Sequence, residues 1–250
     1  MLLEKHEGMD TKTPSTPMIV LVPGYWLGAW AWDAVAAELR ARGYPVIAVT
    51  LPGLDRNDPH RASTTVAQQA EGLRSAVHAA AADGSSVVLV AHSGAGYPTS
   101  VLLDQDPAAV ARVVYVDSGP SGDGSAFDAS VPPEAEEVPL PPFEQLRASL
   151  DGLSDEDLER FRAQAVPEPG PVTREPLHLK NDSRRDVPST IIACSYSSEV
   201  IMRMAREGHP MMAEVATLRD LELVDLPTGH WPMWSRPADL ASAIANAAAH

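Results

Sequence analysis

The sequence predicts an α/β fold with a mostly parallel sheet of about six strands and helices on both faces. Short runs of β-branched and aliphatic residues alternate along the chain with alanine-rich amphipathic stretches. The short runs are continuously apolar rather than alternating, which is typical of strands buried on both faces of a parallel sheet. At 250 residues the chain can bury one full core, with room for an insertion.

The predicted elements follow one another in a regular order. Strands are expected at 18–22, 45–50, 86–91, 112–117, 188–193 and 221–226. Helices are expected between most of them, at 30–42, 64–82, 95–105, 199–207 and 236–248. Residues 1–17 lack the apolar core of a signal peptide, so they are expected to form a flexible leader.

One long segment, residues 119–186, interrupts this order because it is rich in proline, glycine and acidic residues. It contains one clear helix signal, in which Ser154 is the expected N-cap and Asp155 opens the first turn. The segment is too long for a simple crossover between strands. We therefore predict a cap or lid inserted between two parts of a core, 18–118 and 187–250. The alternative is a disordered acidic loop.

The charge balance and the apolar pattern exclude several classes of partner. The chain has 34 acidic and 19 basic residues, a net charge of −15. Nucleic acids and anionic membranes select for basic patches, so neither is expected as a partner. No run of 18 apolar residues is present, so no membrane span is expected, and the single cysteine, Cys194, allows no internal disulfide. These features predict a cytoplasmic protein.

Candidate site residues follow the predicted strands directly. In an open parallel sheet, ligands bind beyond the carboxyl ends of the strands. Ser93 follows the strand at 86–91, Asp117 ends the strand at 112–117, and His230 follows the strand at 221–226. A hydroxyl, a carboxylate and an imidazole therefore converge on one edge of the sheet. These are the groups needed to activate a serine, whose hydroxyl is a weak nucleophile by itself.

The stretch VVLVAHSGAG, residues 87–96, predicts a strand that turns sharply into a helix at Ser93. The serine turn known for this geometry has glycine at both second neighbours, where this chain has Ala91 and Ala95. The turn needs small neighbours because the strand and the helix pack closely. Alanine adds only one methyl group at each position, so we expect the turn to form.

Four stretches carry a resemblance to a known family. They are VLVPGYWLGAWAWDAVAAELRARGYPVIAVTLPG, VVLVAHSGAG, VVYVDSGP and LPTGHWPMWSRP. With them the chain resembles the α/β-hydrolase superfamily, and within it the small esterase branch that includes plant methylesterases and hydroxynitrile lyases. The resemblance covers roughly residues 18–118 and 187–250 and is weak across 119–186. It implies the α/β-hydrolase fold with an inserted cap.

The resemblance also implies roles for individual residues. Ser93 matches the nucleophile, His230 matches the base, and the backbone N–H groups of Tyr25 and Gly94 match the oxyanion hole. The implied protein is a serine hydrolase that forms an acyl-enzyme intermediate. No metal and no organic cofactor is required.

The acid of the relay is the one departure from the family pattern. In this branch it normally follows the strand at 188–193, where the matching residue here is Ser197. Two carboxylates can replace it. Asp117 ends the strand after the nucleophile helix, where some relatives keep their acid, and Glu199 lies two residues beyond the expected position. We favour Asp117 and keep Glu199 as the alternative.

The expected substrate is a small apolar molecule, a hydrophobic carboxylic ester or a lactone. Trp26 and Trp231 lie next to the implied oxyanion loop and base, so they are predicted to form pocket walls. One alternative is a binding protein that keeps the fold without turnover. A second is a hydroxynitrile lyase, but those relatives use a threonine and a lysine that Tyr25 and the stretch 197–240 do not supply. The sequence does not specify the ester or the oligomeric state.

A dinucleotide-binding site is a weaker alternative. Gly94, Ala95 and Gly96 open a helix after a strand, as in the glycine-rich fingerprint of such sites. Thr99 stands where the third glycine is needed, and the motif follows the third predicted strand instead of the first. We therefore expect no nucleotide cofactor.

Overall fold

The computed structural model describes residues 16–147 and 149–250. The flexible leader predicted at 1–17 falls almost wholly outside the described residues. The strands are β1 (Met18–Val22), β2 (Val46–Ala48), β3 (Val87–His92), β4 (Arg112–Val116), β5 (Glu137–Val138), β6 (Glu168–Pro169), β7 (Ser189–Ala193) and β8 (Leu221–Asp225). The helices are α1 (Asp33–Ala41), α2 (Val66–Ala80), α3 (Gly96–Gln105), α4 (Asp155–Gln164), α5 (Gly170–Arg174), α6 (Ser198–Arg206), α7 (Pro232–Ser235) and α8 (Pro237–Ala248).

Six strands form one sheet in the order β2-β1-β3-β4-β7-β8, and every neighbouring pair is parallel. Helices cover both faces of this sheet. One apolar cluster contains side chains of α1 and α8, and a second contains side chains of α2, α3 and α6. The predicted α/β fold with a mostly parallel, six-stranded sheet is confirmed.

Burial explains why the strand sequences are continuously apolar. Every residue of β3 is buried, and so is every residue of β7. A buried Val, Leu or Ile side chain stabilises the fold by roughly 1.5–3 kcal/mol relative to an exposed one. These two interior strands therefore carry apolar residues toward both helical layers.

The strand order places a crevice between β1 and β3. The chain passes from β1 to β2 on one side and then returns to β3 on the other side of β1. At such a reversal the connections leave in opposite directions, and the space beyond the carboxyl ends of the two strands opens as a ligand site. Tyr25 and Ser93 follow these two strands.

Residues 119–186, called here the connecting segment, join β4 to β7. Helix α4 begins after Ser154, whose hydroxyl accepts the N–H of Asp157 while the Asp157 carboxylate accepts the N–H of Ser154. This reciprocal capping box fixes the helix start at the residue that the sequence indicates. Phe161 of α4 is fully buried, with its ring 5.0 Å from those of both Trp231 and Trp234. The segment is thereby packed onto the loop that follows β8.

The connecting segment also contains elements that the sequence does not indicate. β5 and β6 pair as a two-residue antiparallel ladder, and α5 follows β6 directly. Strands of two residues, one of them ending in Pro169, have no periodicity that a sequence pattern could reveal. Within the described residues, no helix has the length and apolar character needed to cross a membrane.

Candidate active site

Ser93 lies on a strained turn at the end of β3. Its φ is 51°, a value that non-glycine residues seldom adopt, and it opens a short 3₁₀ turn that leads into α3. Such strain is found mostly at functional sites, where the surrounding structure enforces it. Ala91 and Ala95 are both buried on either side. The turn therefore forms with alanine at both second neighbours, as small side chains allow.

His230 joins Ser93 to Asp117. Its Nε2 lies 2.7 Å from the Ser93 Oγ, and its Nδ1 lies 2.5 Å from the Asp117 Oδ2. Because a carboxylate only accepts hydrogen bonds, Nδ1 carries the proton and Nε2 is left to accept from the Ser93 hydroxyl. The structure thus brings together the serine, imidazole and carboxylate that the sequence singles out.

Asp117 is held by the end of the neighbouring strand β7. Its Oδ2 accepts the Ser195 hydroxyl at 2.6 Å, and its Oδ1 accepts the N–H groups of Ser195 at 2.8 Å and Cys194 at 3.3 Å. Burial acts to raise the pKa of Asp117, but hydrogen bonds from His230 and Ser195 outweigh it and hold that pKa below its usual value. The carboxylate is therefore charged at neutral pH and able to stabilise an imidazolium.

The alternative acid, Glu199, does not reach His230. It is exposed in the first turn of α6 and takes no part in the hydrogen-bonded chain. Ser197, at the position where the family pattern expects the acid, is the N-cap of α6 and accepts the Val200 N–H at 3.4 Å. The residues after β7 therefore donate hydrogen bonds to the carboxylate of Asp117, which follows β4, and do not supply the carboxylate themselves.

His92 is a site residue that the sequence analysis does not single out. It is fully buried at the end of β3, and its Nε2–H donates to the His230 carbonyl oxygen at 2.8 Å. Burial and the nearby His230 lower the pKa of His92 to about 3, so it stays neutral. His92 thus holds the loop that carries His230. The available signal is an imidazole at the end of an otherwise apolar strand, where a polar group needs a specific partner.

Two glycines allow the loop after β1 to lie against the serine turn. A Cβ on Gly24 would come within 2.8 Å of the Ser93 Cβ, and one on Gly94 would come within 2.4 Å of the Tyr25 ring. The N–H groups of Tyr25 and Gly94 have no hydrogen-bond acceptor within the described residues. Both predicted oxyanion donors are therefore next to Ser93 and unpaired.

A cavity of about 410 Å³ opens beside the relay. It is lined by Ser93, Gly94, Tyr97, Asp117, Ser118, Gly119, Pro120, Ser121, Gly122, Ser125, Phe127, Pro210, Met211, Met212 and His230. Besides Ser93, three serines add hydroxyl groups, and Phe127, Met211 and Met212 add apolar surface. Asp117 and His230 are the only charged or basic side chains among these lining residues. Phe127 and Met211 are 45% and 62% exposed, so they lie at the mouth.

The predicted pocket walls Trp26 and Trp231 do not line this cavity. Trp231 is 2% exposed and packs edge-on against Phe161 in the core. Trp26 turns toward the connecting segment, where its indole N–H donates to the Val138 carbonyl at 3.1 Å. Both residues are adjacent to site residues in sequence, but consecutive side chains of a loop point in different directions. The prediction of these two pocket walls is corrected accordingly.

Among the described residues, no three His, Cys, Asp or Glu side chains are grouped as ligands of a metal ion would be. The chemistry that the site offers comes from the relay, the two backbone amides and the cavity. The arrangement can deprotonate a hydroxyl, stabilise a negative oxygen and protonate a leaving group.

Comparison with known proteins is consistent with this arrangement. The family model described as "Alpha/beta hydrolase family" matches residues 19–243, which is most of the chain. The chain belongs to this family. The α/β-hydrolase fold and the resemblance to small esterases that the sequence motifs indicate are both confirmed.

Two curated relatives of this α/β hydrolase are a hydrolase and an esterase. This chain is 27% identical over 243 residues to "Probable hydrolase R7" of Phoma sp. (strain ATCC 20986 / MF5453), and the match covers 93% of this chain and 98% of the relative. It is 34% identical over 110 residues to "Esterase PIR7B" of Oryza sativa subsp. japonica, covering 43% of this chain and 41% of the relative. These relatives support hydrolase activity of the esterase type.

Solved structures show the same fold. The methylesterase MES16 from Arabidopsis superimposes with a TM-score of 0.72 at 20% identity, covering 93% of this chain and 99% of that one. An extracellular α/β-hydrolase from a Paenibacillus species superimposes with a TM-score of 0.70 at 22% identity, covering 92% and 98%. The fold extends over nearly the whole of both chains.

Proposed function

We propose that this α/β hydrolase is a serine esterase that cleaves an uncharged, largely apolar carboxylic ester or lactone through an acyl-enzyme intermediate. The observation that carries the proposal is the hydrogen-bonded line from Ser93 through His230 to Asp117, which opens on the cavity. A ligand-binding protein without turnover needs no such relay. A hydroxynitrile lyase of the related type needs a lysine, and the lining of the cavity contains none.

The first half of the reaction acylates Ser93. The Ser93 oxygen attacks the ester carbonyl while His230 Nε2 takes its proton, and Asp117 stabilises the resulting imidazolium. The carbonyl oxygen becomes an oxyanion, which the N–H groups of Tyr25 and Gly94 stabilise. Loss of one such donor typically slows turnover about a hundred- to a thousandfold. When the tetrahedral intermediate collapses, the carbon–oxygen bond breaks and His230 protonates the leaving alcohol.

The second half hydrolyses the acyl-enzyme. His230 is again neutral, and its Nε2 takes a proton from water as the water oxygen attacks the acyl carbonyl. The same two amides stabilise the second oxyanion. Its collapse breaks the bond to Ser93, which regains its proton from His230, and the carboxylic acid leaves.

The cavity indicates the substrate class. Its volume of about 410 Å³ lies within the range of small-molecule sites, roughly 300–1,000 Å³. No Lys or Arg among the lining residues can pair with a substrate carboxylate, and the charge of Asp117 disfavours a second anion nearby. Apolar surface from Phe127, Met211 and Met212 favours an apolar acyl or alcohol group. A neutral ester or lactone of moderate size fits these features.

The connecting segment acts as the cap in this proposal. It supplies Ser121, Ser125 and Phe127 to one side of the cavity. The lining residues outside the segment lie on the serine turn and the start of α3, directly after β4, in the loop after α6 and in the loop that carries His230. The core at 18–118 and 187–250 supplies the reacting groups, and the segment encloses the substrate.

The decisive experiment combines covalent labelling with turnover. The wild-type protein is expected to hydrolyse p-nitrophenyl butyrate, an uncharged chromogenic ester, and to be labelled by a fluorophosphonate. Ser93→Ala is expected to lose the label and to lower kcat by about 10⁴- to 10⁶-fold, because the nucleophile is removed. Mass spectrometry of the labelled peptide identifies the modified residue.

Ser242→Ala is the matched control. Ser242 lies on α8, where its hydroxyl donates to the Ala238 carbonyl and accepts from Arg42, and it neither joins the relay nor lines the cavity. This variant is expected to keep both the label and the turnover of the wild type. Turnover that survives in Ser93→Ala, or a label on another residue, contradicts the proposed function.

A further inference from the structure

Glu168 is a buried carboxyl group that the proposed mechanism does not use. It lies in β6 of the connecting segment, is 0% exposed and does not line the cavity. No Lys, Arg or His side chain pairs with it in the part of the chain that the structure describes. Burial raises the pKa of Glu168 to about 7. Burying a carboxyl group costs free energy unless the group is hydrogen-bonded, so the partners of Glu168 identify what holds it there.

The two oxygens of Glu168 accept hydrogen bonds from two other parts of the molecule. Oε2 accepts the backbone N–H of Trp26 at 3.2 Å, and Oε1 accepts the Nε2–H of Gln69 at 3.2 Å. Gln69 is a buried residue of α2 that also donates to the Pro52 carbonyl at 3.2 Å. Glu168 therefore ties the connecting segment to the core beside Tyr25.

Trp26 is bonded to the connecting segment through each of its polar groups. Besides the N–H on Glu168, its carbonyl accepts the Val166 N–H at 3.0 Å, and its indole N–H donates to the Val138 carbonyl at 3.1 Å. The φ of Trp26 is 66°, a conformation that a bulky residue keeps only where its surroundings enforce it. The surroundings that enforce it belong to the connecting segment.

Trp26 directly follows Tyr25, whose backbone N–H is a proposed oxyanion donor. The backbone conformation of Trp26 therefore helps to set where the loop of residues 23–27, the oxyanion loop, lies against Ser93. Loss of a hydrogen bond at Trp26 would let this loop relax toward a less strained conformation. An oxyanion donor acts only when it is held in place before the reaction.

We infer that Glu168 is a positioning residue that holds the oxyanion loop through Trp26, so that the connecting segment takes part in catalysis as well as enclosing the cavity. The inference rests on the proposed esterase function, because it concerns an oxyanion donor of that reaction. It assigns to residues 137–138 and 166–168 a role in transition-state stabilisation that is separate from substrate binding.

Two substitutions of one residue form the test. Glu168→Met keeps the approximate length and burial of the side chain but removes the acceptor for the Trp26 N–H. Glu168→Gln keeps an acceptor oxygen for the Trp26 N–H, and its new amide can donate to Gln69 once the Gln69 amide turns to present Oε1, an atom with no partner among the described residues. Thr173→Val is the control, because Thr173 is equally buried in the same segment but its hydroxyl bonds only to the Pro169 carbonyl, within the segment itself.

The readouts are kcat and KM with p-nitrophenyl butyrate and the inhibition constant of an uncharged trifluoromethyl ketone, which forms an oxyanion on Ser93. Glu168→Met is expected to lower kcat about 10- to 100-fold and to weaken the inhibitor in parallel, with KM changed less than about threefold. Glu168→Gln and Thr173→Val are expected to stay within about threefold of the wild type. Circular dichroism confirms that each variant is folded.

The inference is overturned if folded Glu168→Met keeps the wild-type kcat, or if it changes KM alone. It is also overturned if Glu168→Gln loses as much activity as Glu168→Met. Should Glu168→Met fail to fold, Trp26→Phe decides the matter, because it removes the indole hydrogen bond to Val138, together with part of the ring, and keeps the backbone bonds of residue 26 to Glu168 and Val166. Unchanged kcat and inhibitor affinity in Trp26→Phe then overturn the inference, and a parallel loss of both supports it.

Failure of the esterase proposal gives a different result. If the wild type shows no turnover that depends on Ser93, the proposed function is wrong and the role of Glu168 falls with it. If turnover depends on Ser93 but not on residue 168, only the role of Glu168 is wrong.

Discussion

Asp117 directly follows β4 and Glu168 lies in β6, and these two carboxylates differ in the hydrogen-bond donors that face them. Asp117 accepts hydrogen bonds from an imidazole, a hydroxyl and two backbone amides, and together these outweigh burial and lower its pKa. Glu168 accepts from one backbone amide and one side-chain amide, and burial raises its pKa to about 7. The donors around a buried carboxylate, more than its burial, decide whether it stays charged.

The two carboxylates should therefore affect stability with opposite signs. The folded-state pKa of Asp117 is lowered, so its contribution is present above the unfolded pKa of aspartate, about 3.9, and is lost as the pH falls through the folded pKa. The folded-state pKa of Glu168 is raised. Its contribution is fully present below the unfolded pKa of glutamate, about 4.3, and is lost as the pH rises to about 7.

The largest expected effect concerns the charged member of this pair. Asp117→Asn keeps the shape of the side chain but removes the charge that fixes the His230 tautomer and stabilises the imidazolium. We expect kcat for p-nitrophenyl butyrate to fall about 10³- to 10⁴-fold, as measured by steady-state kinetics. Glu199→Gln is the control and should change kcat less than about twofold. An equal loss in Glu199→Gln contradicts the assignment of Asp117 as the acid.

The next largest effect concerns the stability of the Glu168→Gln variant. An amide does not titrate here, so the variant should lack the loss of stability that the wild type shows between about pH 4 and pH 7. The difference in unfolding free energy between variant and wild type should rise by about 2–4 kcal/mol over that range. Urea denaturation at a series of pH values measures it.

A pH-independent effect of Glu168→Gln on the unfolding free energy does not disturb this prediction, because the prediction concerns only how the difference between variant and wild type changes with pH. Tyr25 is the titratable side chain whose charge interacts with Glu168. Its pKa is raised well above the ordinary value, first by burial and next by Glu168, so it stays neutral over the range. If the unfolding free energies of the two proteins run parallel from about pH 4 to about pH 7, the raised pKa of Glu168 is contradicted.

The smallest expected effect concerns the hydrogen bond that the Ser195 hydroxyl donates to Asp117. Ser195→Ala removes the hydroxyl donor at 2.6 Å from the Asp117 Oδ2 but leaves the two backbone amides and His230 in place. A single hydrogen bond to a charged group is worth about 1.5–3 kcal/mol at most, and the remaining donors compensate in part. We expect kcat/KM to fall about three- to tenfold. Ser198→Ala, which loses a hydrogen bond to the exposed Asp225 instead, should leave kcat/KM unchanged.

The sequence predicts the parts of the site that depend on local patterns. Ser93 and His230 follow strands whose predicted limits agree with the structure to within a residue. Burial on both faces gives β3 its continuous apolar run, whereas β8 is a partly exposed edge strand with Glu222 among its apolar residues. The choice between Asp117 and Glu199 stays open in the sequence. It depends on which side chain reaches His230, and that is decided by the end of β7.

Other features depend on contacts between distant parts of the chain. Trp231 packs against Phe161 of the connecting segment, and Trp26 bonds to Val138, so neither orientation follows from the adjacent residues. Glu168 lies 142 residues from its partner Trp26. Because Glu168 precedes Pro169 in an acidic, proline-rich segment, its local sequence is typical of a solvent-exposed glutamate and gives no sign of its burial.

The position of Asp117 has a consequence for how the candidate site assembles as the chain folds. Ser93 and Asp117 directly follow β3 and β4, which are consecutive, paired strands of one βαβ unit. Only a short stretch of chain must therefore close to bring the two residues together. His230 is separated from Asp117 by 113 positions and reaches it only when β8 has paired with β7. Contacts of such long sequence separation form slowly, because more chain entropy is lost before they stabilise. The proposed relay from Ser93 to Asp117 is thus completed when the last strand joins the sheet.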